Sequence, residues 1–193
     1  MGYLREKEIK ELALAIKASD ENAFSELFHR TYPRLVKFAW RYTQTETTAK
    51  DIVQESFVKL WRKRNHIDPA QSMMAYLFQI VRNRSLNHIR DHSPEDDITI
   101  DDLPGGVLKS DEYVPEVTSS QNKIGKKMLD WIDHLPGRQR EALRLSRFEG
   151  LDHEEIAYVM EISPHTVNNH IVSALATLRK NWNDYKNNPN NGT

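Results

Sequence analysis

Residues Leu135–Asn181 read LPGRQREALRLSRFEGLDHEEIAYVMEISPHTVNNHIVSALATLRKN, and this stretch decides the fold. Apolar residues recur at three- and four-residue steps on both sides of a break at Glu161-Ile162-Ser163-Pro164, the pattern of two short amphipathic helices. Asp152 is placed to cap the first helix, with Glu155 three positions on, as in a capping box. Ser163 is placed to cap the second, with Pro164 at the first helical position, where its missing N–H removes no bond. Two short helices joined in this way are the sequence form of a helix-turn-helix, whose second helix enters the major groove of DNA.

The second helix has two chemically distinct faces. Val167, Ile171, Ala174, Leu175 and Leu178 form an apolar stripe, and the opposite side carries His165, Asn169, Val172, Ser173 and Ala176. Thr166 and Asn168 flank that side, and His170 lies nearer the edge of the stripe. Asparagine pairs bidentately with adenine, so this face is suited to reading base edges. No Lys or Arg occurs from Ile162 to Leu178, so backbone charge would come from Arg179 and Lys180, or from the upstream Arg138, Arg140, Arg144 and Arg147. The ordinary alternative is a solvated helix in a bundle, but the turn, the caps and the spacing favour DNA binding. His165 and His170 stand about 140° apart on a helix and do not converge, so no metal site is expected. No Gly-rich phosphate loop or nucleophile elbow is present, and His153-Glu154 lacks the second His of a zinc-protease motif. Neither a cofactor nor enzymatic activity is expected.

Composition sets the frame around this motif. A length of 193 residues suits one medium domain or two small ones, and 38 % hydrophobic with 28 % charged residues fits small helical cores. No apolar run approaches the roughly 18 to 20 residues of a membrane span. The N-terminus reads as an amphipathic helix rather than a signal peptide, and the chain has no cysteine, which together point to the cytoplasm. The net charge of −1 is unequally spread. From Asp91 to Gln121 nine acidic residues face the single Lys109, a net of −8, which leaves +7 for the rest. Mildly basic modules gain only a modest phosphate attraction, so the protein is expected to bind DNA weakly alone and to gain affinity from a partner.

The N-terminal half also reads as helices. Asp20 is a cap for the segment from Glu21, in which Pro33 is expected to bend or split the helix near Tyr32. A second helix is expected from about Thr47 to Lys63, with Asp51, Gln54 and Glu55 on its polar side, and a third from about Gln71 to Asp91. The basic loop between them holds Arg62, Lys63, Arg64, Asn65 and His66, and the third helix carries Arg82, Asn83, Arg84, Asn87 and Arg90 with Tyr76 and Phe78 interleaved. Such a helix is either an ordinary wet face or a cationic and aromatic surface suited to single-stranded DNA. The expected architecture is therefore all-α, with two small helical domains at residues 1–92 and 123–186. They are joined by an acidic flexible linker at 93–122, and a disordered tail follows at 187–193.

The strings DIVQESFVKLW (from Asp51) and AYLFQIVRNRSLNHIRD (from Ala75) resemble region 2 of the sigma-70 family, and Leu135–Asn181 resembles region 4. The order of the two and the acidic linker are similar to the small extracytoplasmic-function (ECF) sigma factors of bacteria. The TVNNHI variant is similar to that common in Bacteroidetes members. The resemblance implies that Asp51, Gln54 and Glu55 dock on core RNA polymerase, with Phe57 and Trp61 as supporting core. It implies minus-ten element contacts by the loop Arg62, Lys63, Arg64, Asn65 and His66 and by Arg82, Asn83 and Arg90. It assigns the minus-thirty-five element to Arg144, His165, Thr166, Asn168, Asn169, His170, Ser173 and Arg179. The implied partners are core RNA polymerase, promoter DNA and an anti-sigma factor, membrane-anchored in many relatives. Two departures stand out: many relatives carry Lys or Arg in the recognition helix where this chain has Asn and His, and Asn87 stands where many have Asp. A LuxR-type regulator would share the C-terminal pattern, but the N-terminal half lacks the alternating strands and helices of a receiver domain.

Overall fold

A computed structural model describes residues 6–92 and 119–187. The acidic connector at 93–118, with most of the linker expectation, and the tail at 188–193 lie outside the described residues. Among the described residues there are eight α-helices, one 3-10 turn and no strand. The described residues divide into two compact units, 6–92 with 158–161 and 119–157 with 162–187.

In the first unit, α1 (Glu6–Lys17) ends in a left-handed turn at Ser19, with φ 69°, that returns the chain to α2 (Glu21–Thr43). Asp20 caps α2 by accepting from the N–H groups of Asn22 at 2.8 Å and Ala23 at 3.1 Å, as its place before a helical pattern predicts. Contrary to the expectation at Pro33, α2 runs unbroken through it. The physical reason is tertiary. Leu27 on one side of the proline and Leu35, Phe38 and Ala39 on the other are all buried, so packing keeps both halves helical despite one lost backbone bond. Helix α2 packs on α1, on α3 (Glu46–Arg62) and on α4 (Met73–His92). Its contact with α3 is aromatic: Phe57 meets Phe28 edge-on at 4.8 Å and Phe24 at 5.9 Å, and Trp61 tilts against Phe24 at 5.0 Å.

The second unit comprises α5 (Ser119–Asp133), α6 (Gly137–Arg147), α8 (Pro164–Asn187) and the start of α7 (His153–Met160), as far as Ala157. Helix α5 starts at Ser119, within the last residues of the stretch that composition assigns to the linker. Ser-Ser-Gln-Asn has no apolar period to announce a helix, which is why pattern reading starts the domain later. Helix α8 lies on α6 and α5 through buried Val167, Ile171, Ala174 and Leu178, four of the five residues of the predicted stripe.

Candidate functional site

The helix-turn-helix is fixed by local hydrogen bonds that the sequence anticipates. The α6–α7 link turns at Gly150, whose φ of +65° suits a residue without a Cβ. Asp152 and Glu155 then form a complete capping box. The Glu155 N–H donates to Asp152 Oδ1 at 2.8 Å, and the Asp152 N–H donates to Glu155 Oε2 at 2.9 Å. After α7 the chain takes a left-handed conformation at Glu161, φ 57°, and the Ile162 N–H returns to the Ala157 carbonyl at 3.1 Å. Ser163 Oγ accepts from the Thr166 N–H at 3.1 Å and closes the start of α8.

On α8, His165, Asn168, Asn169, Ser173 and Arg179 are exposed together, as the helical wheel predicts. Two assigned residues differ. Thr166 is half-buried, and its hydroxyl is within 2.8 Å of Ser163 Oγ, so it belongs to the cap. His170 is half-buried at the edge of the apolar stripe. The face also holds Val172, which is 56 % exposed between the asparagines and Ala176. Sequence reading places Val172 on this face but gives it no role; its signal is an apolar residue outside the stripe.

Arg144, assigned to DNA by resemblance, has a different setting. It pairs with Asp133 at the end of α5, and the two side chains are 11 % and 5 % exposed. Its guanidinium also lies 5.9 Å from the Phe148 ring centroid. Arg140 reaches the same corner, donating to the carbonyls of Asp133 at 2.8 Å and Leu135 at 3.1 Å. Two of the four arginines around α6 thus hold the α5–α6 corner. The partner Asp133 lies eleven residues before Arg144 and carries no local signal for the pairing.

In the first unit, Asp51, Gln54, Glu55, Val58 and Arg62 form one exposed stripe along α3. Behind it Ile52, Val53, Ser56, Phe57 and Leu60 are buried. Glu55 is ion-paired with Arg84 of α4, which ties the stripe to its neighbour. Val58, 48 % exposed at the centre of the stripe, was not singled out by sequence.

The loop after α3 is a built structure. Arg64–His66 form a 3-10 turn. Arg64 donates from Nε to Ser19 Oγ at 2.8 Å and from a terminal nitrogen to the Trp61 carbonyl at 2.9 Å, while its guanidinium lies 4.5 Å from the Trp61 ring centroid. Lys17 Nζ donates to the Ile67 carbonyl at 2.9 Å. Arg64 therefore shapes the loop, and Arg62, Lys63, Asn65 and His66 are exposed on it. On α4, Arg82 is only 7 % exposed and Asn83 is half-buried, whereas Arg90 is exposed beside Asn87 and Asp91. The interleaved Tyr76 is half-buried, and burial pushes its phenol above the ordinary tyrosine range.

Two family descriptions match the two units: Sigma-70 region 2 over residues 27–95, and Sigma-70, region 4 over residues 126–178. Together they cover more than half of the chain. The chain belongs to the sigma-70 family. It is a sigma factor, with α2–α4 in region 2 and the helix-turn-helix in region 4. It is 28 % identical over 183 residues to the RNA polymerase sigma-H factor of Pseudomonas aeruginosa, covering 92 % of this chain and 95 % of that protein. It is 27 % identical to the ECF RNA polymerase sigma factor SigM of Bacillus subtilis, over 72 % of this chain and 82 % of SigM. In fold it is similar to CnrH in complex with the cytosolic domain of CnrY, with a TM-score of 0.63 at 21 % identity, covering 92 % and 98 % of the two chains. It is also similar to RpoE in complex with the anti-sigma factor NepR from Bartonella quintana, with a TM-score of 0.60 at 20 % identity, covering 81 % and 94 %. No described helix is long and apolar enough to cross a membrane.

Proposed function

We propose that this sigma factor is of the ECF kind and works in the cytoplasm, docking on core RNA polymerase through the α3 stripe of Asp51, Gln54 and Glu55. The exposed loop residues Arg62, Lys63, Asn65 and His66, with Arg90 on α4, meet the minus-ten element. Arg64 keeps the loop in shape, while Arg82 and Asn83 act from partly enclosed positions on α4. The α8 face of His165, Asn168, Asn169 and Ser173, with Arg179, meets the minus-thirty-five element. The observation that carries this reading is the doubly capped helix-turn-helix, which presents an exposed polar helix face and follows a region-2 unit in the same chain. The acidic connector lets the two units act bivalently once polymerase fixes their separation.

An anti-sigma factor, membrane-anchored in one form of this proposal, is the expected regulator, supported by the RpoE–NepR pairing in a protein of similar fold. The TVNNHI string supports a Bacteroidetes-type lineage. The LuxR-type alternative is not favoured, because region 2 accounts for an N-terminal half that such a regulator would fill otherwise.

The test is transcription in vitro with bacterial core RNA polymerase and a library of genomic promoter fragments. Start sites sharing two spaced motifs are expected. Duplex binding without initiation or core binding would refute the sigma assignment and return the LuxR-type reading.

A further inference from the structure

The exposed face of α8 has a base preference written in its side chains. Arginine and lysine are the usual partners of guanine O6 and N7, and none occurs from Ile162 to Leu178. Asn168 and Asn169 are exposed and carry the amide that pairs with adenine N6 and N7. One helical turn further on, at i+4 and i+3 from these two, stands Val172. Its isopropyl group is 56 % exposed, although the core of the unit is filled by the opposite stripe of α8. Val172 stands outside that buried stripe, and a β-branched residue is a poorer helix former than alanine. Its neighbours on the face include no Lys or Arg: they are Ala176, Ser173 and His165. Thymine is the base that offers a methyl group in the major groove, and an apolar side chain is the group that contacts it. The rise of a helical turn, about 5.4 Å, places Val172 within reach of a base pair adjacent to those met by the asparagines.

We propose that α8 reads an upstream element composed of A·T pairs, with Asn168 and Asn169 on adenines and Val172 against a thymine C5-methyl. This rests on the assignment of α8 to the minus-thirty-five element. His165, the remaining ring donor on the face, lies a full turn from the asparagines towards the N-terminal end and marks the boundary of the A·T segment.

The experiment uses the full chain with core RNA polymerase and promoter duplexes randomised upstream of a fixed start site. The selected upstream motif is expected to be A·T-rich. Each thymine of that motif is then replaced by deoxyuridine, which removes the methyl and leaves pairing intact. At one position this is expected to lower open-complex formation about 5- to 10-fold, in line with a single specific base contact. With Val172→Ser, which replaces the apolar group by a small polar one, the same replacement is expected to have no further effect. A G·C-rich selected motif, or a deoxyuridine penalty unchanged by Val172→Ser, overturns the inference while leaving the sigma assignment standing. Failure to initiate on any template overturns the sigma assignment, and this inference with it.

Discussion

Replacing Arg144 by methionine separates a stability role from a DNA-contact role. The Arg144–Asp133 pair is enclosed, with the two side chains 11 % and 5 % exposed. Removing the cation leaves the Asp133 carboxylate buried without its counter-charge, a change that typically costs about 3–5 kcal/mol. For a unit of roughly 60–100 residues each kcal/mol lowers the melting temperature by about 4–8 °C, so a drop on the order of 12 °C or more is expected in the C-terminal transition. The assay is thermal unfolding of the full chain by circular dichroism, with the N-terminal transition as an internal control. The double variant Arg144→Met with Asp133→Leu replaces both charges by apolar groups and is expected to recover most of the loss, because well-packed apolar pairs commonly match buried ion pairs. The reasoning is refuted if Arg144→Met melts within about 1 °C of the parent while weakening promoter binding, since surface changes typically stay within about 0.5 kcal/mol.

Asp51→Ala with Gln54→Ala is expected to weaken binding to core polymerase in a pull-down while circular dichroism stays native, because both side chains are exposed. Asn169→Ala is expected to reduce protection of the upstream element more than of the minus-ten element, and equal losses in footprinting would show the wrong reading face. Arg64→Lys is expected to alter Trp61 fluorescence as strongly as Arg64→Ala, because only the planar guanidinium both bridges Ser19 to the Trp61 carbonyl and stacks on the indole. A parent-like spectrum for the lysine variant would show that charge alone holds the loop.

Local grammar made the recognition motif readable in advance. The capping box at Asp152 and Glu155, the Ser163 cap and the buried stripe of α8 depend on residues three or four apart, and each forms as the spacing implies. The family resemblance, carried by DIVQESFVKLW and the C-terminal motif, agrees with the two regions matched. What sequence could not resolve is how a cation is spent once the chain folds. Arg144 and Arg64 look like their exposed neighbours until Asp133 and Ser19 arrive from elsewhere in the chain. Pro33 does not split α2 for a similar reason, since the packing that keeps the helix continuous is tertiary.

The recognition helix carries no Lys or Arg before Arg179, and this bears on where the protein spends its time in a cell. A genome offers on the order of 10⁶–10⁹ competing sites, and a strongly cationic reader is soaked up by them. A helix whose first four turns lack cations has a weaker sequence-independent attraction to phosphate than a strongly cationic one. The smaller that attraction, the larger the share of the subunit left free to meet proteins. Control of the genes it serves then follows from competition among those proteins for the subunit, with little buffering by the chromosome.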